Sequence, residues 1–180
     1  MKKIIIGLFL CCFLITICGC CDTQPKFCGF KLGANFDTSK GIAETWNEEA
    51  EKMGGKKYTI KKGNFLKFLD FDNVYILTSS DNRIISITAA CSGLHKSNFE
   101  AEFKKACDAI EGNFGVSSNS NSKVERVYYI DKEEDTYFYI NSAWDRELGG
   151  FIWVTLQSRK LKTNAISTFK KSKSDTSAFK

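Results

Sequence analysis

The fold is decided by the stretch Lys123-Val-Glu-Arg-Val-Tyr-Tyr-Ile-Asp-Lys-Glu-Glu-Asp-Thr-Tyr-Phe-Tyr-Ile-Asn141. Two runs rich in Tyr, Ile and Val flank the charged turn Asp131–Asp135. Runs of this composition, bounded by turn residues, predict β-strands. We expect strands over 123–130 and 136–141, and a third over 150–158 after the polar turn at 145–149.

The strand pattern also fills the middle of the chain. Residues 56–90 are rich in Phe, Ile, Val, Tyr and Thr, with turn residues at 61–64 and 79–82. Three further strands are predicted there, over 56–61, 64–78 with a break at 70–73, and 83–90. The sheet is therefore expected to have about six strands.

Two segments have helical spacing instead. Ile42, Trp46, Ala50 and Met53 predict a first helix over 39–53, which Gly54-Gly55 would end. A second helix is predicted from Ser97-Asn98 to about Phe114, with one apolar stripe along it. The residues of that stripe are Phe99, Phe103, Cys107, Ile110 and Phe114.

This order predicts an α+β domain in which one antiparallel sheet has two helices on one face. The order helix, strand, strand, strand occurs twice, which suggests two similar halves. A short echo supports the repeat, because Cys28-x6-Asn35-Phe36 matches Cys91-x6-Asn98-Phe99 just before each helix. In architecture the order resembles the tandem helix-then-strands fold of β-lactamase inhibitor protein and of small envelope-assembly lipoproteins.

The last three strands carry many aromatic residues, and strict alternation sorts them onto two faces. The face toward the helices would hold Val124, Tyr128, Ile130, Phe138, Ile140, Ile152, Val154 and Leu156. The other face would hold Val127, Tyr129, Tyr137, Tyr139, Phe151 and Trp153. An uncovered face of this composition is a candidate protein-binding surface. The alternatives are that the tail or a loop covers it, or that a bulge shifts the register and buries the rings.

The N-terminus reads Met1-Lys-Lys-Ile-Ile-Ile-Gly-Leu-Phe-Leu-Cys-Cys-Phe-Leu-Ile-Thr-Ile-Cys-Gly-Cys-Cys21. A charged start, an apolar run and small residues are typical of an export signal. It resembles the signal of bacterial lipoproteins, with Ile17 and Gly19 preceding the cysteine that is lipidated, here Cys20. Cys18 departs from that family's usual Ala, Ser or Thr, and Cys21 offers a second register. The alternative is an uncleaved membrane span over residues 4–21.

The resemblance implies a signal peptide at 1–19, a lipidated tether at 20–28 and a single domain at 29–160. In either interpretation the domain lies outside the cytoplasm, on the cell membrane or outer membrane, facing the periplasm or the cell exterior. Residues 161–180 are expected to form a disordered basic tail. From Arg159 to the last residue the sequence has seven basic residues and one acidic residue, Asp175. Contact of this tail with anionic headgroups is the alternative.

After the signal and the lipidated Cys20, four cysteines remain in a compartment where disulfides persist, and they allow three full pairings. They are Cys21, Cys28, Cys91 and Cys107. If the two halves are related, Cys28 and Cys91 occupy equivalent loops and are the expected pair. Cys107 lies on the stripe of the second helix. A Cys91–Cys107 bond is disfavoured because about nine helical residues advance the chain by about 13 Å, beyond disulfide reach.

The sequence contains no recognisable catalytic motif, and we expect a protein that is not an enzyme and has no cofactor or metal. Cys91 and His95 would make a thiol nucleophile and its base only with an oxyanion hole and an orienting acid, for which there is no sign. The acidic turn 131–135 lacks the spacing of a calcium loop. Nucleic-acid binding is not expected, since stacking aromatics are not interleaved with the basic residues of the tail.

The favoured function is therefore a membrane-anchored module that binds a protein partner through Tyr129, Tyr137, Tyr139, Phe151 and Trp153. The main alternative is a periplasmic inhibitor or immunity protein. A small hydrolase that uses Cys91 and His95 is a distant third.

Overall fold

The computed structural model of the chain describes residues 25–44, 46–118 and 122–177. The described strands are β1 (Lys26–Phe27), β2 (Phe30–Lys31), β3 (Gly41–Ala43), β4 (Lys57–Ile60), β5 (Asn73–Thr78), β6 (Ile84–Leu94), β7 (Glu125–Asp131), β8 (Thr136–Asp145) and β9 (Gly149–Ser158). The described α-helices are α1 (Glu48–Lys52), α2 (Lys96–Phe114) and α3 (Arg159–Ser177).

The fold is α+β, as predicted, with one large antiparallel sheet and two main helices. The sheet has seven strands in the order β3-β4-β5-β6-β9-β8-β7, and β1 and β2 form a separate hairpin. Strands β3 to β6 make one meander and β7 to β9 another. Their last strands, β6 and β9, pair antiparallel at the centre, with Ile87 opposite Leu156 and Cys91 opposite Ile152.

One face of the sheet packs on α2. The helix buries Phe103, Ala106, Cys107 and Ile110, as its predicted apolar stripe requires. It ends at Gly115, whose left-handed backbone (φ 64°) lets its amide donate to the Glu111 carbonyl. The sheet residues beneath it are fully buried, namely Tyr128, Phe138, Ile140, Ile152, Val154 and Leu156. Val124 was expected among them but precedes β7 and is exposed.

The helix predicted over 39–53 does not form as one element. Thr38–Lys40 is a single 3-10 turn, Gly41–Ala43 is strand β3, and only Glu48–Lys52 is α-helical. The prediction is wrong because Gly41 lies opposite Ile60 at the sheet edge, so the chain pairs with β4 instead of coiling. Ile42 and Trp46, which the helix was to bury, are exposed. This extra edge strand explains why the sheet has seven strands rather than six.

Residues 64–72 are a second difference, since the strand predicted over 64–78 begins only at Asn73. The segment before it folds into turns closed by a bridge between Phe68 and Phe71. Phe71 is buried in the main core, while Phe65 and Phe68 are partly buried against it. The aromatic residues that predicted a strand thus pack a loop against the core instead.

In place of the expected disordered tail, the structure has helix α3 over Arg159–Ser177. Its first turns carry Leu161, Ala165 and Ile166 at helical spacing, and these pack on a second apolar cluster. That cluster consists of Ala50, Met53, Leu77 and Ile85. Leu77 follows Ile76 of the main core, so it points to the other side of β5. The two main helices therefore pack on opposite faces of the sheet, whereas the sequence predicted two helices on one face.

The close contact of Gly55 with the sheet provides a test of how the segment after α1 packs. A Cβ atom on Gly55 would lie 1.8 Å from the Thr78 carbonyl oxygen, which is backbone and cannot give way cheaply. We predict that Gly55→Ala lowers the free energy of unfolding by about 3 kcal/mol or more, because overpacking displaces the backbone. Urea unfolding of the full chain measures this change.

Gly112→Ala is the matched control, since a Cβ atom there would meet no atom within 4 Å. Because Gly112 lies inside α2, we expect this variant to be stabilised by up to about 1 kcal/mol. Equal effects of the two substitutions would contradict the packing of Gly55 on Thr78.

Candidate protein-interaction surface

The side of strands β5 to β9 that points away from α2 is here called the open face. Its residues can be assigned from register, because directly opposed residues of antiparallel neighbours point to the same side. One row across the sheet is Tyr75, Thr88, Thr155, Tyr139 and Val127. The row on one side of it is Ala90, Trp153, Asn141 and Glu125, and the row on the other is Leu77, Ser86, Gln157, Tyr137 and Tyr129.

The structure brings together the five aromatic residues that the sequence predicted for this face. Tyr129, Tyr139, Phe151 and Trp153 are half-buried, so each still presents part of its ring to solvent. Phe151 and Trp153 stack with their rings 5.7 Å apart and parallel within 7°. This pair forms the apolar part of the open face.

Tyr137 differs from the other four, because only 6% of its surface is exposed. The Arg159 guanidinium lies 5.1 Å above its ring, and the Tyr129 ring lies 5.6 Å away. Its hydroxyl accepts a hydrogen bond from Gln157 Nε2 at 2.7 Å. Tyr137 was predicted to contact a partner directly, but its ring is buried and packed against Arg159 and Tyr129.

The centre of the open face is polar but uncharged. Thr88 and Thr155 share a hydrogen bond of 2.9 Å across the β6–β9 pair. Burial raises the pKa of the Tyr139 hydroxyl, and the Glu125 carboxylate adds to the rise, so this group stays neutral at physiological pH. The hydroxyl donates a hydrogen bond to the Glu125 carboxylate, so its oxygen can accept one from a bound molecule.

Helix α3 packs on one end of this face, and its first residue, Arg159, lies over Tyr137. Its apolar residues lie over Leu77 and Ile85, near the end of the β5–β6 hairpin. Beside it a cavity of about 180 Å³ is lined by Lys57, Tyr75, Leu77 and Thr88, among others. The sequence left two alternatives in which this face is hidden. The first of them, cover by the C-terminal tail, is observed at this end of the face. The alternation of burial through β8 and β9 places the aromatic rings as predicted.

A second cavity lies beyond α3 and was missed by the sequence analysis. It measures about 440 Å³, and its lining includes Trp46, Phe169, Gly54, Lys57 and Lys173. The Phe169 ring rests where a Gly54 side chain would be, with ring atoms 2.3 Å from the ideal Cβ position. The available signal was the spacing of Leu161, Ala165, Ile166 and Phe169, which is helical and lies within the segment assigned to disorder.

The structure does not form the predicted Cys28–Cys91 disulfide, since all three described cysteines are free thiols. Cys28 lies in the turn between β1 and β2, whereas Cys91 lies on β6 opposite Ile152. Burial raises the pKa of Cys28 to about 12. Burial and the nearby Glu102 carboxylate raise the pKa of Cys91 to about 11. Both sulfurs are protonated at neutral pH, which is unfavourable for a nucleophile.

The other candidate groups have structural roles. His95 is exposed and begins α2, with its carbonyl accepting from the amides of Asn98 and Phe99. The Asp131 carboxylate accepts from the amides of Glu133 and Glu134 and so closes the β7–β8 turn. Glu134 and Asp135 pair with Lys160 and Arg159 at the start of α3. Within residues 25–177, outside the gaps, no cluster of three metal-ligating side chains is present.

Cys20 and the apolar stretch 4–17 lie outside the described residues. In the part of the chain that the structure describes, no helix is long and apolar enough to cross a membrane. Comparison with known proteins found no matching family model, curated protein or solved structure.

The raised pKa of Cys91 predicts slow alkylation. The shift from 9.0 to about 11 leaves about 100-fold less thiolate at pH 8 than an ordinary cysteine has. We expect iodoacetamide to modify Cys91 in the native chain at least that much more slowly than in the denatured chain. The rate should rise about tenfold for each pH unit toward pH 11. Peptide mapping by mass spectrometry, without reductant, measures both.

The denatured sample serves as the control. A Cys91 that reacts equally fast in both samples would contradict the assigned environment. A Cys91 that resists alkylation even when denatured would indicate a disulfide, with Cys28 as the first candidate for its partner.

Proposed function

We propose that this chain is a lipid-anchored protein of the bacterial cell envelope that binds a protein partner through the open face. The observation that carries the proposal is the half-exposed aromatic group Tyr129, Tyr139, Phe151 and Trp153 on a strand surface whose charged residue, Glu125, lies at the β7 edge. Soluble domains seldom leave a contiguous apolar patch uncovered unless something binds it. Tyr and Trp are also the residues that most often dominate binding energy at protein interfaces.

The composition of the face supports a protein as its occupant. Asn141, Thr155 and the neutral Tyr139 hydroxyl offer hydrogen bonds at its centre, while Phe151 and Trp153 offer apolar contact. Charged groups lie at its margins, with Lys57 next to Tyr75 and Glu125 next to Asn141. Apolar and aromatic centres with charged rims are typical of protein interfaces. The partner is expected to contribute an uncharged surface with at least one large apolar side chain.

The face is also supported from behind, which favours binding without rearrangement. Tyr137 is fixed by Gln157 and Arg159, and the inward neighbours Phe138, Ile140 and Val154 are fully buried. Rings held by such a core lose little freedom when a partner binds, so less of the interaction energy is lost to ordering. An inhibitor or immunity protein would use the same kind of surface, and the identity of the partner would separate that function from envelope assembly.

Attachment to the membrane is proposed from the N-terminal residues. Ile17 and Gly19 precede Cys20 as in the signals of bacterial lipoproteins, and Lys2-Lys3 begins the segment. Each buried methylene of an acyl chain contributes about 0.8 kcal/mol, so several chains on one cysteine would hold the protein permanently. The open face would then meet its partner at the membrane surface.

The proposed anchor predicts the outcome of Cys20→Ser. Without the thiol that receives the lipid, the chain expressed in bacteria should accumulate as an unprocessed or soluble form. Intact mass and membrane fractionation measure this. Cys21→Ser is the matched control and should still be processed and lipidated. A Cys20→Ser chain that stays membrane-bound with the unchanged mass of the parent would show that residues 4–21 span the membrane instead.

The proposed binding surface predicts that Tyr139→Ala and Trp153→Ala weaken partner capture. Truncating a central aromatic residue of an interface commonly costs about 2 kcal/mol or more, which is about 30-fold in affinity. Crosslinking in intact envelopes, followed by purification of the chain, measures capture. Thermal unfolding of the same variants measures the fold.

Trp144→Ala is the matched control. Trp144 is 41% exposed but lies on the α2 side of β8, where its ring contacts Phe99. This variant should retain the partner that Trp153→Ala loses. If Tyr139→Ala and Trp153→Ala lose capture only together with a large fall in the unfolding midpoint, the rings belong to the core and the proposal fails.

A further inference from the structure

The β1–β2 hairpin lies at the start of the described chain. It contacts the loop at residues 64–69, and the two form one surface. The amide of Leu66 donates to the Cys28 carbonyl at 3.0 Å. The Phe27 and Phe68 rings meet edge to face, with centroids 5.1 Å apart. Leu66 also lies against Gly29, where an ideal Cβ would be 3.3 Å from Leu66 Cγ. We call this hairpin and loop the anchor-side surface.

The loop presents two large apolar side chains to solvent. Leu66 is 69% exposed and Leu69 is 41% exposed. Leu69 also has a left-handed backbone, with φ 51°. This conformation is costly for a residue with a Cβ atom and is found mainly where the surrounding structure imposes it for a function. The loop is thus held with its leucines pointing outward.

Basic residues are frequent in the segments that contain these leucines and the hairpin. Segments 25–31 and 61–72 contain Lys26, Lys31, Lys61, Lys62 and Lys67 against Asp70 and Asp72, five positive and two negative charges. The net charge of the two segments is therefore +3. Lys67 pairs with Asp72 at 2.9 Å, and both side chains remain more than 60% exposed. Apolar tips among lysines are typical of segments that rest in the interface of an anionic bilayer.

The position of the surface along the chain is the third observation. Strand β1 begins at Lys26, so the 24 residues outside the structure, including the apolar run 4–17, join the domain at this hairpin. Six residue steps separate Cys20 from Lys26, which is at most about 20 Å even when fully extended. A lipid on Cys20 would keep the anchor-side surface close to the headgroups.

We propose that the anchor-side surface is a membrane-docking site, with Leu66 and Leu69 inserted among the lipids of an anionic bilayer and the lysines against its headgroups. This inference rests on the proposed membrane attachment and adds a fixed orientation to it. The Phe27 ring contacts Phe138, which points to the α2 side of the sheet. The hairpin therefore lies on the side opposite the open face, and docking leaves that face turned away from the bilayer.

The test uses the full chain with the photo-crosslinker p-benzoylphenylalanine in place of Leu66, bound to phosphatidylcholine vesicles that contain about one third phosphatidylglycerol. Irradiation should join position 66 to lipid, which mass spectrometry detects as a lipid adduct. Position 148 is the matched control, because Leu148 is 66% exposed in the β8–β9 turn. No more than background adduct is expected there.

The role of the lysines is tested in the same chain with Lys26→Gln and Lys62→Gln. Each lysine near the surface should contribute up to about fivefold to docking, so the adduct at position 66 should fall by several-fold or more. Pure phosphatidylcholine vesicles should show the same loss. An adduct independent of both changes would overturn the electrostatic part of the proposal.

The outcomes separate this inference from the anchor itself. A chain that sediments with vesicles but forms no adduct at position 66 above that at 148 would overturn the docking site and leave the anchor intact. A chain that fails to sediment would count against the proposed attachment. An adduct of twice the protein mass would assign the loop to a second copy of the chain and overturn the membrane interpretation.

Discussion

The pairing of β6 with β9 is the interaction on which the remaining structure depends. The first half of the chain supplies the four strands β3 to β6, and the second half supplies β7 to β9. Strands β6 and β9 join the halves through six consecutive opposed pairs from Ser86–Gln157 to Cys91–Ile152. A sheet of a few strands is stable only when its apolar face is covered. Joined at the centre, the two halves share the core beneath α2, where Ile87, Val154 and Leu156 are fully buried. The order of the strands follows from this single junction.

The register of that junction also determines the candidate binding surface. Side chains alternate along a strand, so a slip of one residue would send Trp153 and Tyr139 inward and expose Val154 and Ile140. Burial of the apolar set under α2 opposes the slip, because exposing several fully buried side chains would cost about 2 kcal/mol for each. The same energy that stabilises the core therefore holds the aromatic rings outside. In this fold the binding surface is a consequence of core packing on the opposite face.

Alternation and helical spacing predicted the second half well. They identified α2, the three strands after it and the side on which Tyr129, Tyr139, Phe151 and Trp153 lie. They failed where tertiary contacts outweigh local pattern. The spacing of Ile42 and Trp46 is helical, yet pairing with β4 turns that segment into an edge strand. The polar composition of residues 161–180 predicted a disordered tail. The segment is helical instead, because a helix lets Leu161, Ala165 and Ile166 pack on Met53, Leu77 and Ile85. The burial of Tyr137 depends on Arg159, a contact that no local pattern reveals.

Helix α3 shows how the two ends of the chain stabilise one another. Its first turn contacts both apolar clusters through Leu161, and its Lys162 pairs with Glu49 of α1. Exposed ion pairs of this kind contribute little by themselves, so the apolar contacts carry the docking. Farther along, the Phe169 ring lies against Gly54, in space that a side chain at position 54 would occupy. Arg159, the first residue of this helix, is held by the hydrogen bond from its amide to the Asp135 carbonyl, and its guanidinium lies over the Tyr137 ring. Helix α3 therefore contacts the open face at two places, at Tyr137 through Arg159 and at Leu77 through its apolar residues.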